Sequence, residues 1–131
     1  PYTKETHHLL NSKNIRLVKR GAYLINTARG PIVESEALVL ALEEGILRGA
    51  AMDVLEEEGE TKDELIILAK GHPREEELKT MLRNHILMKM PNVLVTPHNA
   101  FNSQEALEHI LRTTLENIKS FLSGKPINVV P

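Results

Sequence analysis

Three residues stand out by type and place. Arg29 closes the turn Thr27-Ala28-Arg29-Gly30, Glu58 belongs to the acidic run Glu56-Glu57-Glu58 with Glu60 beyond it, and His98 follows Val95-Thr96-Pro97. A guanidinium, a carboxylate and an imidazole brought to one place are the parts needed to bind a small 2-oxo acid and protonate its carbonyl oxygen as a hydride arrives. Arginine presents a rigid fork of donors that matches a carboxylate bidentately and can polarise the neighbouring keto oxygen, whereas lysine would supply a point charge. An imidazole titrates near neutral pH, so His98 can hand a proton to a developing alkoxide and recover it in reverse. A carboxylate beside it would hold the ring's tautomer and stabilise its charged form, and Glu58 is the candidate.

Each residue also has a plainer reading. Arg29 could simply bind loop carbonyls or a surface carboxylate, His98 could be a satisfied loop histidine after a proline, and the acidic run could be a solvated turn. Spacing does not choose among its glutamates. Asp53 is easier to single out, because an acid ending the apolar run Ala50-Ala51-Met52 is costly to bury unless something pairs with it. Its plainer role is helix capping.

Positioning these groups falls to alternating strands and helices. Asn11-Ser12 before Ile15, Leu17 and Val18, with Lys19-Arg20-Gly21 behind, predicts a short helix over 12–20. Ala22-Tyr23-Leu24-Ile25-Asn26 has no polar alternation and suits a strand buried on both faces of a parallel sheet. Ser35 can cap a helix carrying Leu38, Ala41 and Leu42 and ending at Gly45, and 50–54 and 92–96 read as two further buried strands. Residues 59–90 form a charged insertion whose apolar clusters suit two short helices around Gly71-His72-Pro73. Ser103 caps the clearest helix, with Leu107, Ile110, Leu111, Leu115, Ile118 and Leu122 on one face up to Gly124, and 126–130 is extended. Such alternation implies an α/β fold with a parallel sheet covered on both sides. Ligands bind such sheets outside the carboxyl ends of the strands, so Arg29, Asp53, Glu58 and His98 should share one rim.

Composition narrows the partners. The chain has 131 residues, enough for one domain with a real core but short for an enzyme holding both a dinucleotide and a substrate. A net charge of -2 gives no electrostatic case for nucleic acid or an anionic membrane, so the expected partner is a small molecule. No apolar run approaches the roughly 20 residues of a membrane span. With no cysteine, a disulfide framework, a thiolate metal site and a cysteine nucleophile are all excluded, and a cytoplasmic location fits. His7, His8, His72, His85 and His98 lack the short spacings of a metal site, and no serine sits in a nucleophile elbow.

The segments 21–33, 49–54 with Glu56 to Glu58, and Val95-Thr96-Pro97-His98 resemble, in order and spacing, the NAD-dependent D-2-hydroxyacid dehydrogenases. The likeness runs through essentially the whole chain, and the asparagine-x-x-arginine-glycine strand end is its strongest motif. The resemblance implies NAD as cofactor, Arg29 as the substrate clamp and His98 as the acid/base. It also selects Glu58, five residues after Asp53, as the partner of His98, and assigns Asp53 to the nicotinamide amide. It further implies that Pro1, Thr6, Thr27, Ala28, Arg29, His98 and Ala100 line the nicotinamide end of the cofactor. The long segment after Glu58 and His98-Asn99-Ala100-Phe101 are similar to the D-lactate dehydrogenase branch, so pyruvate is the expected substrate.

In that family the glycine-rich phosphate loop precedes the segment matching Pro1, and no G-x-G-x-x-G occurs in these residues. The expected fold is therefore the second half of a Rossmann-type doubly wound sheet over 1–102, with 103–131 as a helix and tail returning to a substrate domain. The chain is expected to be part of a protein about twice its length, paired as a homodimer through the NAD-binding domain. Two other readings are an NAD(H)-sensing, corepressor-like interaction module and a fragment inactive alone.

Overall fold

The computed structural model describes residues 1–56 and 74–130, which fall into two compact units, Pro1–His98 and Asn99–Pro131. In the first unit, β1 (Ala22–Asn26), α1 (Ser35–Glu43), β2 (Leu47–Met52), α2 (Glu75–Lys89) and β3 (Val93–Val95) succeed one another. The sheet order is β1-β2-β3 and both pairings are parallel. Ile25 sits opposite Ala51 and Ala51 opposite Leu94, while Asn26 and Val95 both sit opposite Met52. All three strands therefore finish at one edge.

Burial separates the two faces of the sheet. Leu24, Ala50, Met52 and Val93 point into a core that also takes Ala37, Leu38, Ala41 and Leu42 of α1 and Leu87 of α2. On the other face Tyr23 is 65%, Ile25 71% and Leu94 61% exposed. The strands' apolar sequences imply cover on both faces; among the described residues of this unit, cover lies on one. An open depression lined by Tyr23, Ile25, Ala51 and Leu94 marks the uncovered side.

Two sequence expectations differ from the structure in informative ways. The helix over 12–20 is only a 3-10 turn, Ile15–Leu17. The Asn14 carboxamide accepts from the Asn11 N–H at 2.8 Å and donates to the Leu9 carbonyl at 2.8 Å, while the Asn11 side chain accepts from the Lys13 N–H. Such local side-chain bonds offer the backbone an alternative to helix. Only Ile15 of the turn is buried, so no apolar stripe supports a longer helix. In the stretch read as an insertion, α2 is one helix of 15 residues, and its Asn84 and Leu87 are fully buried. The first of the two helices expected there, around Leu65 to Leu68, lies outside the described residues.

The second unit is built around α3 (Gln104–Leu122), the most strongly amphipathic helix among the described residues. The Ser103 hydroxyl accepts from the Ala106 N–H at 3.2 Å, the expected cap. Gly124, at a φ of 74°, ends the helix in the left-handed conformation that glycine tolerates best. No residue of α3 is buried, and no helix among the described residues is long and apolar enough to cross a membrane.

The segment before β1 is stitched to the start of α1. The Leu10 N–H donates to Ile32, the Glu34 N–H to Leu10, and both the backbone N–H and the hydroxyl of Ser12 reach the Glu34 carboxylate at 2.6 Å. Burial pushes the Glu34 carboxyl up, but these two donors and the charges of His8 and Arg83 outweigh it and hold the group below its ordinary value. A carboxyl lowered on folding adds stability above its unfolded value, and that increment disappears as pH falls through the lowered folded value. Ser12→Ala should therefore lower the melting temperature of the intact protein at neutral pH and leave it unchanged well below the carboxylate range. Melts showing an equal loss at both pH values would contradict this role for Glu34.

Candidate functional site

The parallel register delivers three strand ends to one edge, and the site is built on the loops that leave them. After β1, the buried Asn26 side chain shapes the turn: its carbonyl oxygen accepts from the Ala28 N–H at 3.1 Å and its amide donates to the Arg29 carbonyl at 3.0 Å. Thr27, Ala28 and Arg29 are exposed on this turn. The Arg29 guanidinium donates to the Ala28 carbonyl at 2.7 Å through Nη1. Binding of a loop carbonyl, the plainer reading of Arg29, is thus part of what is seen, and the head group stays accessible.

Asp53 comes directly after β2. Its N–H donates to the Asn26 carbonyl at 2.9 Å, and its carboxylate, 4% exposed as a residue, accepts from the Thr96 hydroxyl at 2.5 Å. Thr96 in turn donates its N–H to the Met52 carbonyl at 3.0 Å. Asp53 is therefore the latch between the ends of β2 and β3. Sequence reasoning finds the acid from its placement but misses its partner, because a threonine after an apolar strand carries no distinguishing signal.

His98 lies three residues past β3 and is half-buried. Its N–H donates to the Thr96 carbonyl at 3.0 Å and its φ is 54°, in the left-handed region. A non-glycine residue there is uncommon, though histidine is among those that tolerate it, and such conformations gather at functional sites. The hydrogen bonds linking Arg29, Asn26, Asp53, Thr96 and His98, two of them through the side chains of Asn26 and Thr96, tie the three strand-end loops together along one edge of the sheet. Glu58 lies outside the described residues. Pro1 and Thr6 form their own closed turn, the Thr6 hydroxyl donating to the Pro1 carbonyl at 3.2 Å. Ala100 is exposed and belongs to the second unit.

The pattern of the NAD-binding domain of D-isomer-specific 2-hydroxyacid dehydrogenases matches residues 1–100. The chain belongs to this family. It is 40% identical over 125 residues to a glyoxylate reductase of Thermofilum pendens, covering 95% of the chain and 31% of that protein. A D-lactate dehydrogenase of Treponema pallidum is 36% identical over 126 residues, with 96% of the chain and 36% of the relative covered. Among solved structures, D-lactate dehydrogenase of Aquifex aeolicus, in complex with NAD and lactic acid, superposes with a TM-score of 0.79 at 36% identity, covering 100% of the chain and 39% of the other. The chain thus spans about a third of the length of these relatives, a smaller share than the half expected. The three-stranded parallel sheet with its helices is part of a Rossmann-type domain, and NAD is the cofactor of that domain.

The rim fits the nicotinamide end of NAD. A buried carboxylate, an acceptor of the kind a carboxamide can donate to, stands at the same edge as exposed small residues, Thr27 and Ala28, against which a planar ring can lie. No glycine-rich phosphate motif accompanies it within the 131 residues.

One close approach sets the rim's shape. A Cβ on Gly30 would stand 1.9 Å from the Leu55 carbonyl oxygen and 2.7 Å from the Glu56 nitrogen, so only glycine lets the Arg29 turn lie against the loop after β2. Gly30→Ala must push backbone apart, and a loss of about 1–3 kcal/mol is expected from such overpacking. Denaturant titration of the intact protein followed by circular dichroism measures it; a loss within experimental error would show that the two turns are not held in contact.

Proposed function

We propose that the protein containing this chain reduces a small 2-oxo acid, with pyruvate the leading candidate, to the D-2-hydroxy acid using NADH. The observation that carries the reading is His98, fixed in a left-handed conformation on the rim that Asp53 and Arg29 share, in a chain of this family. D-lactate dehydrogenases recur among the similar solved structures, as does the pyruvate reductase of Chlamydomonas reinhardtii, which favours pyruvate. The Thermofilum glyoxylate reductase makes glyoxylate the next acid to try.

In this reading Arg29 exchanges its bond to the Ala28 carbonyl for a forked pair to the substrate carboxylate and draws electron density from the adjacent keto oxygen. Bound NADH supplies the hydride. His98 holds a proton on an imidazole nitrogen and delivers it to the carbonyl oxygen as negative charge develops there. Glu58 keeps the imidazole oriented and favours its charged form. The Asp53 carboxylate, braced by Thr96, accepts from the nicotinamide carboxamide, with Pro1, Thr6, Thr27, Ala28 and Ala100 along the ring. The same reading makes residues 1–102 the second half of the NAD-binding domain and returns α3 to a substrate domain. It also takes the protein to be a cytoplasmic homodimer, for which the cysteine-free composition is suited to a reducing compartment.

Two substitutions in the intact protein test the roles. His98→Gln should reduce turnover with pyruvate by about 100- to 10,000-fold, the usual worth of a positioned acid, with little change in NADH affinity. Unchanged turnover would remove His98 from the mechanism. Glu58→Gln should move to lower pH the point above which reduction falls off, because the ring loses a group that favours its protonated form. A superimposable pH profile would leave Glu58 without its assigned part.

A further inference from the structure

We infer that Glu56, outside the rim itself, is a positioning residue that fixes the Asp53 loop in register with the Arg29 turn, a role resting on the reading above. Its carboxylate has two strong partners from two other segments. One oxygen accepts from His8 Nε2 at 2.6 Å, and the other accepts from the Ser35 N–H at 2.6 Å, the first amide of α1. That amide has no acceptor within the helix, so the glutamate caps α1 from across the fold, where a negative charge is favoured. A third element grips its backbone: the Asn84 amide of α2 donates to the Glu56 carbonyl at 2.7 Å, and the Asn84 carbonyl oxygen lies 3.2 Å from the Ser35 hydroxyl that donates to it. The Glu56 side chain is 12% exposed and Asn84 is fully buried, while the His8 side chain is 31% exposed, so these bonds are partly shielded from water.

The consequence lies in what these segments carry. His8 donates its N–H to Pro31 at 2.8 Å, so the first segment, with Pro1 and Thr6, is already tied by backbone to the turn behind Arg29. The loop from Asp53 to Glu56 joins that pair through the Asn26 carbonyl at one end and the Glu56 carboxylate at the other, with Gly30 pressed on the Leu55 peptide between them. Asp53 aligns the nicotinamide and Arg29 the substrate. The Glu56 carboxylate therefore sets the offset between hydride donor and acceptor while touching neither. A displacement of about 1 Å between reacting groups can cost on the order of a hundredfold in rate.

The test is single-turnover hydride transfer in the intact protein, expressed per NADH-binding site so that misfolded protein drops out. Glu56→Ala is expected to slow hydride transfer to pyruvate at least tenfold while NADH affinity changes less than threefold. A smaller fall in rate, or a loss confined to the number of binding sites, overturns the inference and leaves Glu56 a structural cap. If Glu56→Ala does not fold, His8 carries the test: His8→Leu should slow transfer and His8→Gln, which keeps a donor for the carboxylate, should restore most of it. Equal rates in the two His8 variants count against the inference. If the unmodified protein transfers no hydride to any 2-oxo acid, the reading of the site fails, and with it this role; an active protein with an unimpaired Glu56→Ala variant sinks this role alone.

Discussion

The hydrogen bond from the Asp53 N–H to the Asn26 carbonyl, extended by the Thr96 hydroxyl on the Asp53 carboxylate, is where the sheet stops being a scaffold and becomes a site. Parallel pairing alone brings three strand ends to an edge, but strand ends fray, and loops leaving them are free to diverge. Here the last residue of β1 is bonded both to its own turn and to the residue after β2, and that residue is bonded to the one after β3. Each loop therefore starts from a fixed point, and the positions of Arg29 and His98 are set within two or three residues of it. The cost of burying the Asp53 carboxylate is offset by these partners, and among the described residues no buried polar side-chain atom lacks one.

A second layer of polar contacts stands behind the first. Gly30 against the Leu55 peptide leaves no room for slack between the two turns, and such contact is stable only if something holds the loops together. Dispersion between a glycine and a peptide is weak. The Glu56 carboxylate supplies directional bonds instead, to a helix start and to an imidazole, and Asn84 anchors its peptide. Loops held by several hydrogen bonds partly shielded from water are stiffened relative to free ones, and they are sensitive to the loss of any one partner.

Much of this is legible from sequence, and the reasons for the remainder are physical. Residues 22–26 announce β1 by their apolar run, and α3 is visible from its cap at Ser103 and its stripe of leucines and isoleucines. Arg29, Asp53 and His98 can be placed on one rim because strand ends in a parallel sheet share an edge. The helix expected over 12–20 does not form because cap-like asparagines also build turns, and only burial decides which. Apolarity implies cover on both faces, yet Tyr23 and Ile25 are exposed in this chain; an apolar strand reports the environment of a whole protein, and this chain spans about a third of its relatives. His8, Ser35 and Asn84 give no warning of their convergence on Glu56, since they meet it across sequence separations of 21 to 48 residues.

The state of Arg29 bears on how such a rim accepts its ligand. A guanidinium standing free at an exposed turn would lose considerable side-chain freedom on clamping a substrate, up to about 2 kcal/mol for a residue of this kind. Arg29 has given up part of that freedom already, because its Nη1 is held by the carbonyl of the preceding residue. Exchange of a neutral carbonyl for a carboxylate replaces one charge-assisted bond by a forked pair, which adds a second bond and a geometric match to two coplanar oxygens. On the proposed reading that exchange would favour an anionic ligand with two coplanar oxygens, and the Asn26 bonds that shape the turn would keep the arginine backbone in place through it. With Arg29 as the substrate clamp of that reading, the turn's own geometry would contribute to a preference for a carboxylate at this position.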